Sequence, residues 1–426
     1  MTAVAAITAV AANRAADAGI WLDEYERRGV PQTDAYWWLR AVSLGGSAGE
    51  RAAIDHAISF REDARYLARR AQLQSAAGER DAAVASLERA HALAPDDEAI
   101  AASLGYALIA VGRDGDALPL LAAYRTRHAE QAPVAEDLAE LHRRLLQPDA
   151  ARTMAATAID LLGPDGDPDR VFRLRRLYEQ LGRTWTVSAD ATLGNAVAGT
   201  NTTIPGGAYR SYAQVEAAYR FGQVLQRPDR DALSAYARIF AGAQGGGVWP
   251  DDLPTPGVGL RWKPFETHVL YVALERQIAL DMRDARDDDT LLRVSAAPLT
   301  DPRIGDDWHA SGAGWWSHTI YLDAAHYLRR GDSAATADYQ VGHHFKLGDG
   351  ETLQPFARAQ WNGRWQDGGF DRDARLGLGL RWNRWYGGDA HEAWPHRLVI
   401  GLELQNALTT YLPERRTLFV NVGSYW

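Results

Sequence analysis

Cysteine is absent from the 426-residue chain, which excludes a disulfide framework, a thiolate nucleophile and a cysteine metal site. Also absent is any uncharged apolar run of the roughly 18 residues a membrane-crossing helix needs, so a membrane role would require a β-barrel. Basic charge is not in excess: 46 Lys and Arg stand against 55 Asp and Glu, a net charge of -9, which argues against a nucleic-acid partner. The opening residues, Met1 to Arg14, lack the basic and leucine-rich parts of a secretory signal and read as the start of an Ala-rich helix. If the protein is exported, this chain is expected to be a fragment or to lack its leader. No Ser-His-Asp arrangement or phosphate-binding glycine loop is readable. His318, His326 and the pair His343-His344 have no carboxylate at ligand spacing, so the chain reads as a non-enzyme without metal or other cofactor.

What is present divides near residue 183. Twelve of the 15 Trp lie beyond it, Gly concentrates there too, and Ala dominates the residues before it. In the first part a 34-residue period runs from 64 to about 165: Ala71 recurs as Gly105, Gly78 as Gly112, Ala83 as Ala117 and Leu87 as Leu121. A weaker third copy has Ala139 and Ala151 but places Leu146 where the glycine should stand, and Pro95 closes the first unit. Small residues at these offsets let antiparallel helices approach, and the glycine ends the first helix of each pair. The pattern resembles the tetratricopeptide repeat, without its early Trp and Tyr. Residues 5–28, 33–43, 48–59 and 168–181 also read as helices. Tyr36, Trp37 and Trp38 form an aromatic knot expected to pack between helices. Arg170, Arg173, Arg175 and Arg176 make either a solvated basic face or a contact with acidic groups at a membrane surface or barrel rim. A solenoid of this kind offers a concave docking surface rather than catalysis.

Beyond 183, period-two alternation replaces the helical period. In 212–222, Val215, Ala217 and Tyr219 share one face while Glu216 and Arg220 share the other, and in 375–382 Leu376, Leu378 and Leu380 oppose Arg375 and Arg381. About twelve such strands, most near ten residues, are joined by turn-rich links such as Arg330-Gly-Asp-Ser333 and Leu347-Gly-Asp-Gly350. The predicted architecture is an all-α repeat solenoid over 1–182, followed by an all-β antiparallel transmembrane barrel over 183–426. In a membrane barrel the apolar side faces lipid and the charged side lines the lumen. The predicted lumen face carries Glu216, Arg220, Tyr236, Arg238, Tyr271, Glu275, Arg293, Tyr321, Asp323, Asp338, Phe356, Arg358, Arg381 and Glu403. Trp185, Tyr219, Trp262, Trp316, Trp361, Trp382 and Trp426 sit near strand ends, where an interfacial girdle belongs. In the last strand, Leu418, Val420, Val422 and Trp426 are expected to meet lipid. Asn421 and Tyr425 should face the lumen, and Gly423 should leave space there; Ser424 interrupts the outer face.

Three links are singled out. Residues 299–314 fall on a short-turn side and are too long for it, so either a strand is missed or the segment folds inward as a plug. The acidic run 281–289 reads either as a solvated loop or as an exposed loop that holds divalent cations between lipopolysaccharide groups. Loops 198–211 and 243–255 are candidate outer contacts.

Three stretches carry a family resemblance: Tyr178-Glu-Gln-Leu-Gly-Arg-Thr-Trp185, Gly314-Trp-Trp-Ser-His-Thr-Ile-Tyr321 and Leu418-Phe-Val-Asn-Val-Gly-Ser-Tyr-Trp426. They are similar to the C-terminal domain of the NfrA-type phage adsorption protein A family. Helical repeats followed by a barrel resemble the outer-membrane components of bacterial exopolysaccharide export systems. About twelve strands leave a narrower lumen than the cellulose and poly-N-acetylglucosamine exporters have. The resemblance implies an outer-membrane protein with a periplasmic repeat region that docks polysaccharide-synthesis proteins. Its expected partners are an exopolysaccharide, the lipid bilayer with its lipopolysaccharide, and phage. Two functions follow: a porin-like barrel guiding the polymer outward, its lumen aromatics stacking on sugars, or a non-conducting receptor and assembly platform.

Overall fold

A computed structural model describes residues 15–47, 49–199, 208–222, 227, 232–243, 248–250, 254–278, 280 and 288–426. Residues 1–14, the acidic run 281–287 and most of the loops 198–211 and 243–255 lie outside them. The chain divides into two compact units, Met1–Leu145 and Leu146–Trp426. The change from helix to strand comes later, between Gly182 and Trp185.

Among the described residues the first unit holds eight helices: α1 (Ala15–Arg27), α2 (Asp34–Ser43), α3 (Gly49–Phe60), α4 (Ala64–Ala76), α5 (Arg80–Leu93), α6 (Glu98–Ala110), α7 (Asp114–Arg127) and α8 (Ala132–Arg144). The carboxylates of Asp63 and Asp97 cap α4 and α6 by accepting N–H bonds from Arg65 and from Ala99 and Ile100. Gly78 and Gly112 end α4 and α6 with φ of 79° and 77°, the left-handed conformation a residue with a Cβ avoids. The repeated small positions face the core: Ala71, Ala83, Ala117 and Ala139 are buried beside Leu87 and Leu121. At Gly105 a Cβ would stand 2.8 Å from Cγ of Leu121, so α6 and α7 touch where only glycine fits. The aromatic knot is a stack of helices: Tyr36 lies on Tyr25, Trp37 on His56 and Trp38 on Tyr66.

The second unit begins with α9 (Pro148–Leu162) and α10 (Pro168–Gly182). Leu146, which takes the glycine's place in the third repeat, has φ of 61° all the same. A left-handed non-glycine costs roughly 1–2 kcal/mol, and here the repeat geometry overrides it.

The barrel strands are β1 (Trp185–Gly199), β2 (Ala208–Arg220), β3 (Leu233–Ala243), β4 (Thr255–Trp262), β5 (Val269–Gln277), β6 (Asp289–Ala297), β7 (Gly314–Tyr327), β8 (Ser333–Gly348), β9 (Glu351–Gln366), β10 (Gly369–Tyr386), β11 (His396–Thr409) and β12 (Arg416–Tyr425). Each pairs antiparallel with its sequence neighbours, and β1 closes on β12. Twelve strands agree with the alternation. Their lengths run from 8 residues in β4 to 18 in β10, a wider spread than the expected ten. The strands β7 to β11, of 14 to 18 residues, border the plug described below, and β1 reaches 15.

Register lines apolar side chains into outward rows, such as Leu378–Leu404–Leu418 and Leu380–Leu402–Val420. Leu378 is 71% exposed. An exposed band this continuous inverts the arrangement that water imposes and matches a hydrocarbon surround. In β12, Leu418, Val420 and Val422 point out, while Asn421 and Tyr425 point in to bond Thr192 and Asp190 of β1. A Cβ on Gly423 would stand 2.8 Å from the Tyr425 hydroxyl oxygen, so this glycine leaves the room that the bond to Asp190 needs.

Candidate functional site: the barrel interior

Alternation puts every predicted lumen residue on the inward face, where the structure joins them into compensated groups. Glu275 is 0% exposed and accepts from Tyr236 (2.8 Å), from Arg238 (2.7 Å) and from Gln277 (3.2 Å). Arg293 donates to both carboxylate oxygens of Asp323 (2.9 and 3.0 Å) and to the Tyr321 hydroxyl (2.7 Å). Arg358 spans Asp338 and Glu403. Arg381 donates to Gln340 and lies over the Phe356 ring. Glu216 holds Arg261, whose guanidinium covers the rings of Tyr236 and Tyr271. Arg220, half-buried, lies near the α10 end with Glu216. Burying a lone charge is prohibitive, so an interior this charged stands only because each group has a partner.

Filling differs along the barrel axis. At the end away from α10 the inward side chains are almost all buried: Tyr209 packs on Phe240, Leu291 on Ala325 and Tyr327, and Arg375 bonds Asp373 and Thr417. Asp289 there accepts the backbone N–H groups of Arg329 and Arg330.

Toward α10, the wall of β2 to β7 encloses a polar cavity of ≈ 310 Å³, lined by Gln214, Glu216, Arg261, Tyr271, Arg293 and Tyr321 among others. A second cavity of ≈ 350 Å³ shares Glu216 with it and opens between β1, β12 and α10.

The wall from β7 to β11 is filled at this end by the link 298–313, which folds inward as one of the two expected alternatives. Asp306 takes hydrogen bonds from Gln354 (2.9 Å) and Arg397 (2.7 Å) and shares one with His344 (2.9 Å). Burial pushes the Asp306 carboxyl up, but Arg397, the His344 bond and Arg381 outweigh it and hold the group below the usual carboxylate range. Trp308, 4% exposed, wedges among Trp315, Trp385 and Trp394. Lys346 covers its ring and donates to the carbonyls of Ala310 and Ser311. From the other side α10 holds the same link: Arg176 binds Asp307, and the Ser311 N–H donates to Asp169. For Arg176, the basic face of α10 is thus a contact with acidic groups at the barrel rim.

The histidine pair splits as strand geometry requires. His344 points in, while His343 lies outside against Trp316 and Phe345. Arg261 was readable from alternation and was passed over. Asp306, Trp308 and Arg397 gave no local signal, because the contacts of this cluster are drawn from five strands, β7 to β11.

Residues 246–421 match the family described as Bacteriophage N adsorption protein A C-term, and residues 13–153 match a tetratricopeptide repeat family. The bacteriophage adsorption protein A of Escherichia coli (strain K12) is 35% identical over 444 aligned residues, covering 99% of this chain and 44% of that protein. The chain resembles the phage adsorption protein A family. It spans less than half the length of this curated relative. Among solved structures, YrrB, a TPR protein with an unusual peptide-binding site, is similar at 17% identity over 38% of this chain and 84% of its own, with a TM-score of 0.34. MamA is similar at 12% identity over 37% of this chain and 93% of its own, with a TM-score of 0.33.

Proposed function

We propose that this chain is the barrel-bearing part of an outer-membrane receptor and assembly platform associated with exopolysaccharide secretion, working by binding and docking rather than catalysis. The relative's name places phage adsorption on that protein, and on this reading the outer turns offer phage the same kind of contact here. The helical repeats stand in the periplasm and dock proteins of polysaccharide synthesis, as concave solenoid faces do. The observation that carries the reading is the barrel's filled far end, with charges paired inside and an apolar band outside. Such a barrel anchors in a bilayer without offering an aqueous path.

The second reading, a barrel that guides polymer outward, draws on the polar cavity with Tyr271 and Tyr321. The purified chain in planar bilayers separates the two. An ion-tight barrel is expected, and steady open-channel current would reject the platform in favour of the conduit. Heat-modifiable migration after outer-membrane fractionation tests the location.

A further inference from the structure

The two interior cavities share Glu216 in their walls, and beyond them the barrel is filled among the described residues. Arg176 of α10, Arg183 just after that helix, Asp307 of the link, and Trp394 line the mouth of the second cavity. The link is gripped from two sides. Asp306 points into the barrel and binds β8, β9 and β11, while its neighbour Asp307 points out and binds α10. Arg176 also donates to Glu179 and to the Trp394 carbonyl, and Arg183 donates to the Pro395 carbonyl, so α10 is tied to the β10–β11 link as well.

The two grips differ in kind. The inner one is enclosed: His344 and Gln354 are fully buried, and Trp308 is wedged beside them. The outer one lies nearer water, because the Asp307 side chain is 55% exposed, though that of Arg176 is only 20% exposed. An exposed ion pair contributes little and exchanges readily, whereas a buried network holds its geometry.

We propose that α10 and the link 298–313 form a gate over a blind polar chamber, with the Arg176–Asp307 pair as its latch. When a pull on α10 breaks the outer grip, the mouth widens while the inner grip keeps the link seated. The helix that leads into the barrel thereby controls entry to the chamber. The gate stands whether or not the barrel conducts, because access is read without a current.

The natural lack of cysteine makes the test direct. Ser188→Cys places a thiol in the wall of the chamber that Arg176 and Asp307 line, and Leu378→Cys places one outside the barrel as a control. Labelling by a polar methanethiosulfonate reagent is followed on the full chain in detergent, in the fraction whose heat-modifiable migration shows a folded barrel. At the chamber thiol, labelling is expected to be slow, to quicken at least tenfold when Arg176→Glu is added, and to slow again with Asp307→Arg in the same chain. The outer thiol should label alike in all three. An unchanged chamber rate with Arg176→Glu, or fast labelling in the parent, overturns the gate. A double swap that stays fast rejects the pair as the latch.

Discussion

The helical unit and the barrel bury opposite things. Met1–Leu145 hides alanine and leucine and exposes its arginines, as in Arg51–Glu79 and Arg113–Glu88, whose partners are well exposed. The barrel hides Arg238, Glu275, Asp323, Arg375 and Glu403 and exposes Leu378, Leu402 and Leu404. Each unit obeys the same rule, that a side chain is buried away from the medium it dissolves in least. What differs is the medium. Surface ion pairs on the helices contribute roughly 0–1 kcal/mol each, while the enclosed pairs of the barrel cannot lose a partner without stranding a charge.

Three substitutions press on that contrast. The largest effect is expected from Glu275→Ala, which removes the buried carboxylate that Arg238 pairs with and the acceptor of Tyr236. Breaking a buried pair costs roughly 3–5 kcal/mol. Urea unfolding followed by gel migration in detergent should show it, whereas Glu79→Ala in the helices should shift stability by under about 1 kcal/mol. A loss at Glu275 no larger than that would break the comparison.

Next is Leu378→Arg, on the outer band. An arginine facing the bilayer midplane costs roughly 2–4 kcal/mol, while an arginine on a water-facing surface stays within about 0.5 kcal/mol. Unfolding in lipid bilayers measures the difference. A neutral result there would show that water surrounds the band.

The smallest effect, and a gain, is expected from Leu146→Gly. Glycine relieves the φ of 61°, a gain of roughly 1–2 kcal/mol that the loss of partly buried leucine contacts brings down to a net of about 1 kcal/mol or less. Thermal melting of the helical signal checks it, and a destabilised variant would mean those contacts outweigh the backbone strain.

Much of this was legible in the chain. Period-34 spacing located Ala71, Gly105, Gly78 and Gly112, because close helix contact and left-handed caps each admit few residue types. Alternation sorted Glu275 from Leu274 and Arg381 from Leu380, because strand side chains change faces at every step. The same rule split His343 from His344. Strand lengths were less legible: β1, β2 and β7 to β11 run to 13 residues or more, and alternation marks the face of a residue more sharply than the end of a strand. The excess length of 299–314 marked the plug without revealing what holds it.

Sequence alone determined the order of architectures, the approximate number of strands and the facing of side chains, since these follow from local periodicity and sterics. It also determined that the interior would be charged. Tertiary structure decided which charges pair, as when Arg358 reaches Glu403 two strands away. It also decided that one barrel end is filled by its own strand side chains and the other by a plug with cavities beside it. Only there do Asp306 and Asp307, adjacent in the chain, part to opposite sides. Ion pairs and wedged rings depend on distances that closure of the barrel sets, and no stretch of residues carries those distances by itself.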